Sequence, residues 1–292
     1  MNQPSPSRGL DHLVIGVADL DAAGDFYTRL GFRVGARNRH PWGTENRIVQ
    51  FPGAFLELIT VGDGTAIPPH GQRLFSFGAF VRDALARGEG MSMLVLESQD
   101  SRADAERFRQ AGIGDFEPFF FEREAKRPDG SQVRVAFSLA FTENPAAREC
   151  AFFVCQQHEP QNFWSPVFQQ HDNGASGLAA TFMVAAEPQA QRDFLSGFSG
   201  AAGIETADGR LRFDLPRGRI EVLTPRTAEL AFGAVESAAG MPHFAGFAVT
   251  VPELAAIEER LARQGIEHRR AERRIIVSAA SARGCAIVFE QG

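Results

Sequence analysis

Apolar positions recur in the same order four times along the chain. From Leu10 to Thr60 the pattern opens with an apolar strand, LDHLVIGV, and continues with Leu20, Ala23, Tyr27 and Leu30 at the spacing of a buried helix face. Asp19 stands where a helix N-cap is expected, and Gly31 where a left-handed residue ends a helix. FRVGAR, NRIVQF and AFLELITV then predict three strands. The order returns near the C-terminus. There FAGFAVTV precedes Leu254, Ile257 and Leu261, Gly265 follows as the stop, and CAIVFE is the last strand. Two inner copies are fainter. One has SMLVLES, a helix from Ser101 to Ala111 ended by Gly112, and AFFVCQQ. The other has ATFMVAA, Pro188 at a helix start, Leu195 and Phe198 on the helix, and RIEVLT.

These repeats predict an α+β protein of four βαβββ units. The stretch Glu159 to Ser176, rich in Pro, Gln, Asn and Gly, divides them into halves at 8–158 and 177–292. One βαβββ sheet is amphipathic and must cover its open face. Pairing two units buries part of each and leaves a curved cleft, the natural place for a small-molecule ligand.

Composition narrows the function classes. The chain has 292 residues, enough for about two domains. With 44% hydrophobic and 23% charged residues it is globular rather than disordered. Apolar runs are strand-sized, so no spanning helix is expected. Met1 to Arg8 lacks the apolar core of a signal peptide. Cys150, Cys155 and Cys285 show no close pairing and read as reduced core thiols, which points to a cytoplasmic protein. The net charge is −6 with no long basic run, which argues against nucleic acid or an anionic membrane as partner. A small-molecule substrate is expected instead, on a monomer or a homodimer. Lys126 is the sole lysine and lies in the polar stretch Arg123 to Gly130, a poor setting for Schiff-base chemistry.

The first unit carries the candidate chemistry. Alternation puts Leu10, His12, Val14 and Gly16 on one face of the first strand, and Phe55, Glu57 and Ile59 on one face of the last. An imidazole and a carboxylate among apolar neighbours are costly unless paired or ligated. If the strands are neighbours, His12 and Glu57 could share a divalent cation, or they could form a hydrogen-bonded core pair. Between the second and third strands runs RHPWGTENR. Its Pro41 and Gly43 predict a tight bend, and His40, Trp42 and Asn46 are expected to face the cleft and contact substrate. His158 follows AFFVCQQ and is the leading third ligand or general base, ahead of His40. His171 reads as part of a turn with Asp172, Asn173 and Gly174. His70, His243 and His268 suggest no function.

The opening LDHLVIGVADLDAAGDFYTRLGF with the closing FLELIT resembles the vicinal-oxygen-chelate superfamily, which includes glyoxalase I, bleomycin-resistance proteins and extradiol dioxygenases. RHPWGTENRIVQF, FFVCQQH and HDNGA bring it nearer the glyoxalase-like branch. The resemblance implies that first and last strands of a unit lie side by side, and that His12 and Glu57 occupy metal-ligand positions for Zn, Fe, Mn or Ni. The sequence also departs from the pattern. Met93 stands where the second unit would supply a ligand, and Ala180 and Gly246 stand where an extradiol dioxygenase would have histidines. The C-terminal half is therefore expected to hold no catalytic metal. The implied activity is a metal-dependent lyase, isomerase or dioxygenase acting on a small oxygenated substrate, with Glu57 or His158 moving a proton. The alternative is a metal-free protein that sequesters a flat compound, for which 26 phenylalanines supply stacking surface.

Overall fold

A computed structural model describes residues 7–126, 130–233 and 240–292. Most of the Met1 to Arg8 segment, and residues 127–129 of the polar stretch around Lys126, lie outside the described residues.

The first unit is β1 (Leu10–Gly16), α1 (Leu20–Arg29), β2 (Asn38–Arg39), β3 (Thr44–Phe51) and β4 (Ala54–Val61). Asp19 caps α1 by accepting from the Asp21 and Ala22 amides, and Gly31 takes a φ of 94° just past its end. After α2 (Phe77–Arg87) the second unit follows as β5 (Gly90–Glu97), α3 (Ser101–Gln110), β6 (Phe119–Lys126), β7 (Gln132–Thr142) and β8 (Ala151–Gln157). A short α4 (Pro160–Phe163) lies in the connecting segment. The third unit is β9 (Gly177–Val184), α5 (Arg192–Ser199), β10 (Ile204–Glu205), β11 (Leu211–Asp214) and β12 (Arg219–Leu223). Then come α6 (Pro225–Phe232) and the fourth unit, β13 (His243–Val251), α7 (Leu254–Arg263), β14 (Arg269–Ala271), β15 (Arg274–Val277) and β16 (Ala286–Gln291).

The strands form two eight-stranded sheets of identical plan. The first runs β2-β3-β4-β1-β5-β8-β7-β6 and the second β10-β11-β12-β9-β13-β16-β15-β14. In each unit the first and last strands are parallel neighbours, and the two first strands of a half meet antiparallel at the sheet centre. This is the four-unit vicinal-oxygen-chelate architecture.

The two faces of each sheet have different partners. Leu13, Ile15, Phe152, Val154, Phe247 and Phe289 point to a face covered by α1, α3, α5 and α7, where both halves share one core. Phe152 lies against Phe194, Phe198 and Phe244 of the C-terminal half at 4.9, 5.6 and 5.5 Å between ring centroids. The opposite faces form separate clefts, one around Val14, Ile59, Met93 and Phe153, the other around Ala180, Phe182 and Val288. The helices joining paired units, α2 and α6, pack into these clefts through Phe77 and Val81, and through Ala228 and Phe232.

Several local expectations need correction. FRVGAR is irregular, and only Asn38–Arg39 pairs with β3. Helices α2 and α6 were not expected, although Ser76 and Thr224 cap them through Oγ atoms that accept amides three residues on. Leu10 joins the shared core instead of the cleft, because a β-bulge interrupts the β1–β5 register between Leu10 and His12. Among the described residues no helix is long and apolar enough to cross a membrane.

Candidate functional site

The bulge that turns Leu10 away places Asp11 beside His12. The His12 Nδ1–H donates to Asp11 Oδ1 at 2.5 Å, and Gln157 Nε2 donates to Asp11 Oδ2 at 3.1 Å. Both residues are buried. The imidazole stacks on Phe55 at 4.2 Å with 13° between planes, and Phe153 closes its edge. With its Nδ1 proton committed to Asp11, His12 presents its Nε2 lone pair to the cleft.

Glu57 is aimed at the same point from β4. In the parallel register Val14 pairs with Glu57, so side-chain alternation sends His12 and Glu57 to one face of adjacent strands. His12 Nε2 and Glu57 Oε2 are 4.0 Å apart. Glu57 Oε1 accepts from Asn46 Nδ2 at 2.5 Å, and Asn46 Oδ1 in turn accepts from Asn38 Nδ2 at 3.0 Å. His40 Nε2 lies 3.3 Å from Asn46 Nδ2 and 4.0 Å from Glu57 Oε1. Its Nδ1–H donates to Thr44 Oγ1 at 2.8 Å, and the ring stacks on Trp42 at 4.6 Å. Burial holds the His40 pKa below its ordinary value against the pull of Glu57, so this imidazole is neutral at pH 7.

The bend that delivers His40 and Trp42 depends on Gly43. It has φ of 84°, and a Cβ there would lie 2.3 Å from the Asp63 carbonyl oxygen. Gly43→Ala is expected to cost about 1–3 kcal/mol and to shift the Trp42 emission, measured by thermal unfolding and fluorescence.

His12, His40, Trp42, Asn46 and Glu57 line one cavity with aromatic walls that include Phe77, Phe121, Phe137 and Phe153. Its free volume is about 50 Å³. It adjoins an outer cavity of about 240 Å³, bounded by Gly35, Gln50, Trp164 and Phe168. Arg123, Ile48 and Phe163 line both. The segment joining the halves is thus a wall of the site as well as a connector. Gln50 ties it down through the Phe163 carbonyl and the Ser165 amide, and His171 bridges the Gln50 carbonyl and the Arg33 amide.

A family model described as a glyoxalase-like domain matches residues 10–197. The chain belongs to the glyoxalase-like domain family. Solved structures share its fold across nearly the whole length. A hypothetical protein from Staphylococcus aureus aligns with TM-score 0.67 at 13% identity, covering 98% of this chain and 100% of that one. A variant of 4-hydroxymandelate synthase from Streptomyces coelicolor aligns at 0.60 and 11%, covering 98% and 93%. A xylose isomerase-like TIM barrel/4-hydroxyphenylpyruvate dioxygenase fusion protein aligns at 0.58 and 13%, covering 99% of this chain and 50% of that one. No curated protein matches by sequence.

This glyoxalase-like chain departs from the sequence expectation at His158. The main chain of β8 sends Phe153 and Cys155 into the cleft, so His158 leaves on the other side. It is exposed, its Nε2 bonds Ser138 Oγ at 2.7 Å, and its ring rests beside Phe120. It therefore cannot serve as third ligand or base in the cleft. His40 is the second imidazole beside Glu57. Met93 and Phe153 occupy the strand positions that His12 and Glu57 hold in the first unit.

The donor set fits a divalent cation. An imidazole lone pair and Glu57 Oε2 face each other, and among the described residues no hydrogen-bond donor reaches that oxygen. The Asp11 carboxylate behind His12 is the arrangement that orients a metal-binding imidazole. His12 and Glu57 would hold the ion, with His40 in reach of the same carboxylate. A second grouping, Asp11, His12 and Cys155, brings its ligand atoms within 4.8 Å of one another. There Asp11 is already used by His12 and Gln157. Burial, then the charges of Asp11 and Glu57, push the Cys155 thiol well up, which keeps it protonated.

In the C-terminal half an arginine fills the equivalent place. Glu221 pairs with Phe182 as Glu57 pairs with Val14, so it is the counterpart of Glu57. Arg219 Nε donates to Glu221 Oε1 at 2.6 Å and its Nη2 to Glu290 Oε1 at 2.7 Å. Arg210 reaches Glu221 Oε2 at 3.0 Å. Gly246, a histidine position in the extradiol pattern, has no room for any side chain. A Cβ there would lie 2.2 Å from the Ala286 carbonyl oxygen. Burial alone would raise the Glu221 pKa. The hydrogen bond and charge of Arg219, then those of Arg210, reverse that and hold it below 4.5. Its folded-state pKa is thus below the unfolded one. The network's stabilisation is complete above about pH 4.5 and lost as pH falls below that value. Thermal melts between pH 3 and 6 should show this slope, and Arg219→Ala should flatten it.

Sequence reasoning missed Asp11, Arg123, Phe77, Phe121 and Phe163. Asp11 carried a signal, since a carboxylate inside LDHLVIGV is as costly as His12 itself. Arg123 and Phe121 could have been placed by carrying strand alternation through FFFEREAK.

Proposed function

We propose that the N-terminal cleft binds one divalent cation (Zn, Fe, Mn or Ni) through His12 and Glu57, with His40 beside them, and that the protein is a metal-dependent lyase, isomerase or dioxygenase acting on a small oxygenated substrate. The observation that carries this is the facing pair, the His12 Nε2 lone pair and an undonated Glu57 oxygen 4.0 Å away in a buried pocket. Such a pair is costly without a positive charge between its members. A bound cation would supply positive charge to stabilise negative charge developing on a substrate oxygen. The protein's own residues do the rest. Asp11 fixes the His12 ring, Asn46 orients Glu57, and neutral His40 or Glu57 can take a substrate proton at Nε2 or Oε1. Trp42, Phe77, Phe121, Phe137 and Phe153 keep water from the reacting atoms. Two structures of this fold are named for 4-hydroxymandelate and 4-hydroxyphenylpyruvate chemistry, which supports an oxygenated aromatic substrate. Free buried cysteines at 150, 155 and 285 support a reducing, cytoplasmic setting.

The experiment is a thermal melt of untagged, chelator-treated protein with and without Mn²⁺, Zn²⁺, Ni²⁺ or Fe²⁺. At a concentration 100 times the dissociation constant, stabilisation of about 2.7 kcal/mol is expected. One observation favours a second reading, a metal-free binder. The Asn46 amide group already satisfies Glu57 Oε1 and approaches His40 Nε2 without any ion. Unchanged melts with every cation would favour that reading.

A further inference from the structure

We propose that Arg123 is the anion-holding residue of the N-terminal cleft, and that the ligand it selects is a flat, singly charged carboxylic acid. This rests on reading that cleft as the functional site. Arg123 comes from β6 and stands where the inner and outer cavities meet. Among the described residues it is the only arginine or lysine lining either cavity.

Its environment sets it apart from the buried arginines that serve structure. Arg8 and Arg219 each meet a carboxylate within 3 Å. Among the described residues no carboxylate comes within 4 Å of the Arg123 guanidinium, and its hydrogen bond to the Glu124 carbonyl is 3.3 Å long. The charge is nevertheless partly buried, and burial lowers its pKa against the attraction of Glu57 across the cavity. A half-buried guanidinium with five donors and one weak bond is poised for a ligand.

The ligand's charge and shape follow from the walls. A carboxylate matches the planar donor fork in two parallel hydrogen bonds. In the metal-free protein a dianion would place its second charge near Glu57 with no second arginine or lysine among the described residues lining the cavities to meet it. The inner cavity, at about 50 Å³, admits only a small head group, so the body of the ligand lies in the outer cavity of about 240 Å³. Phe163, Trp164 and Phe168 offer that body flat aromatic faces.

The test uses benzoate, benzamide and phenyl phosphate as probes on chelator-treated protein, with affinities from titration calorimetry. The two tryptophans of the chain, Trp42 and Trp164, each line one cavity and give a second readout by fluorescence. Wild type should bind benzoate at least about tenfold more tightly than benzamide or phenyl phosphate. Arg123→Gln should lose about tenfold or more for benzoate and leave benzamide unchanged, and Arg123→Lys should recover part of the loss. Arg123→Gln should bind Mn²⁺ no more weakly than wild type, since it removes a positive charge that faces Glu57. Failure of wild type to bind benzoate, equal affinity for benzamide, or unaltered benzoate binding by Arg123→Gln would overturn the proposal. Absence of Mn²⁺ binding with benzoate selectivity intact would sink the cation reading alone and leave Arg123 in its role.

Discussion

His12→Ala and Glu57→Gln should each lower divalent-cation affinity by at least about a hundredfold. Groups that only orient a ligand typically contribute ten- to a hundredfold, so a direct ligand should exceed that range. Asp11→Ala falls in the lower class and is expected to lose about ten- to a hundredfold by freeing the His12 ring. Glu57→Gln should behave in the opposite way when stability is measured without metal. Glu57 is a buried carboxylate with one hydrogen-bond donor, and among the described residues no arginine or lysine lies within 4 Å of it. Glu57→Gln removes that charge, keeps the shape, and leaves an amide oxygen for Asn46. Metal-free Glu57→Gln should therefore melt at or above the metal-free wild type. Calorimetric titration and differential scanning calorimetry on the same samples check both halves of this prediction. Equal cation affinity in wild type and both variants would remove His12 and Glu57 from the ligand set.

Asp104→Ala should produce the largest loss of stability from a single residue outside the site. Asp104 is buried on α3 and accepts from Arg8, Arg107 and Ser98 at 2.6, 2.8 and 2.6 Å. Arg8 also donates to the Phe198 carbonyl at 2.9 Å, and its main-chain amide to the Ser199 carbonyl at 3.0 Å. The pair thus ties α3 of the N-terminal half to α5 of the C-terminal half. Removing the carboxylate strands a buried guanidinium, which costs about 3–5 kcal/mol. For a chain of this size the melting temperature should fall by on the order of 10 °C. Arg8→Met combined with Asp104→Leu removes both charges and should recover at least half of the loss, since the surroundings are aromatic (Phe108 lies 5.5 Å from the guanidinium). A double variant as unstable as Asp104→Ala would show that packing, not charge, sets the cost.

The fold was legible because each unit repeats a helix whose apolar spacing, cap and stop are local features. Asp19, Leu20, Ala23, Tyr27 and Gly31 can be read without knowing any distant contact. The His12 and Glu57 convergence was legible for a related reason. Period-two alternation fixes faces once two strands are neighbours, and the four-unit plan makes β1 and β4 neighbours. His158 failed at a place where alternation matters most. A single residue beyond Gln157 changes face, and an expectation based on proximity to the strand end ignored it. Leu10 failed because a bulge inserts one residue into the register, and bulges leave little trace in composition. The role of Phe163 and Trp164 was hidden in a segment whose Pro, Gln and Asn content reads as a connector. Only the tertiary fold shows that it lies over Phe55, with Phe163 at 5.2 Å and Trp164 at 6.1 Å.

The central claim is a place: one divalent ion between His12 and Glu57 in the N-terminal cleft. The most direct measurement is an anomalous difference map from a crystal of the untagged protein soaked in Mn²⁺. The account predicts one strong peak within bonding distance of His12 Nε2 and Glu57 Oε2, and none beside Glu221 or Glu290. A map with no peak in the N-terminal cleft, or with its peak at the Arg219 network, would contradict it.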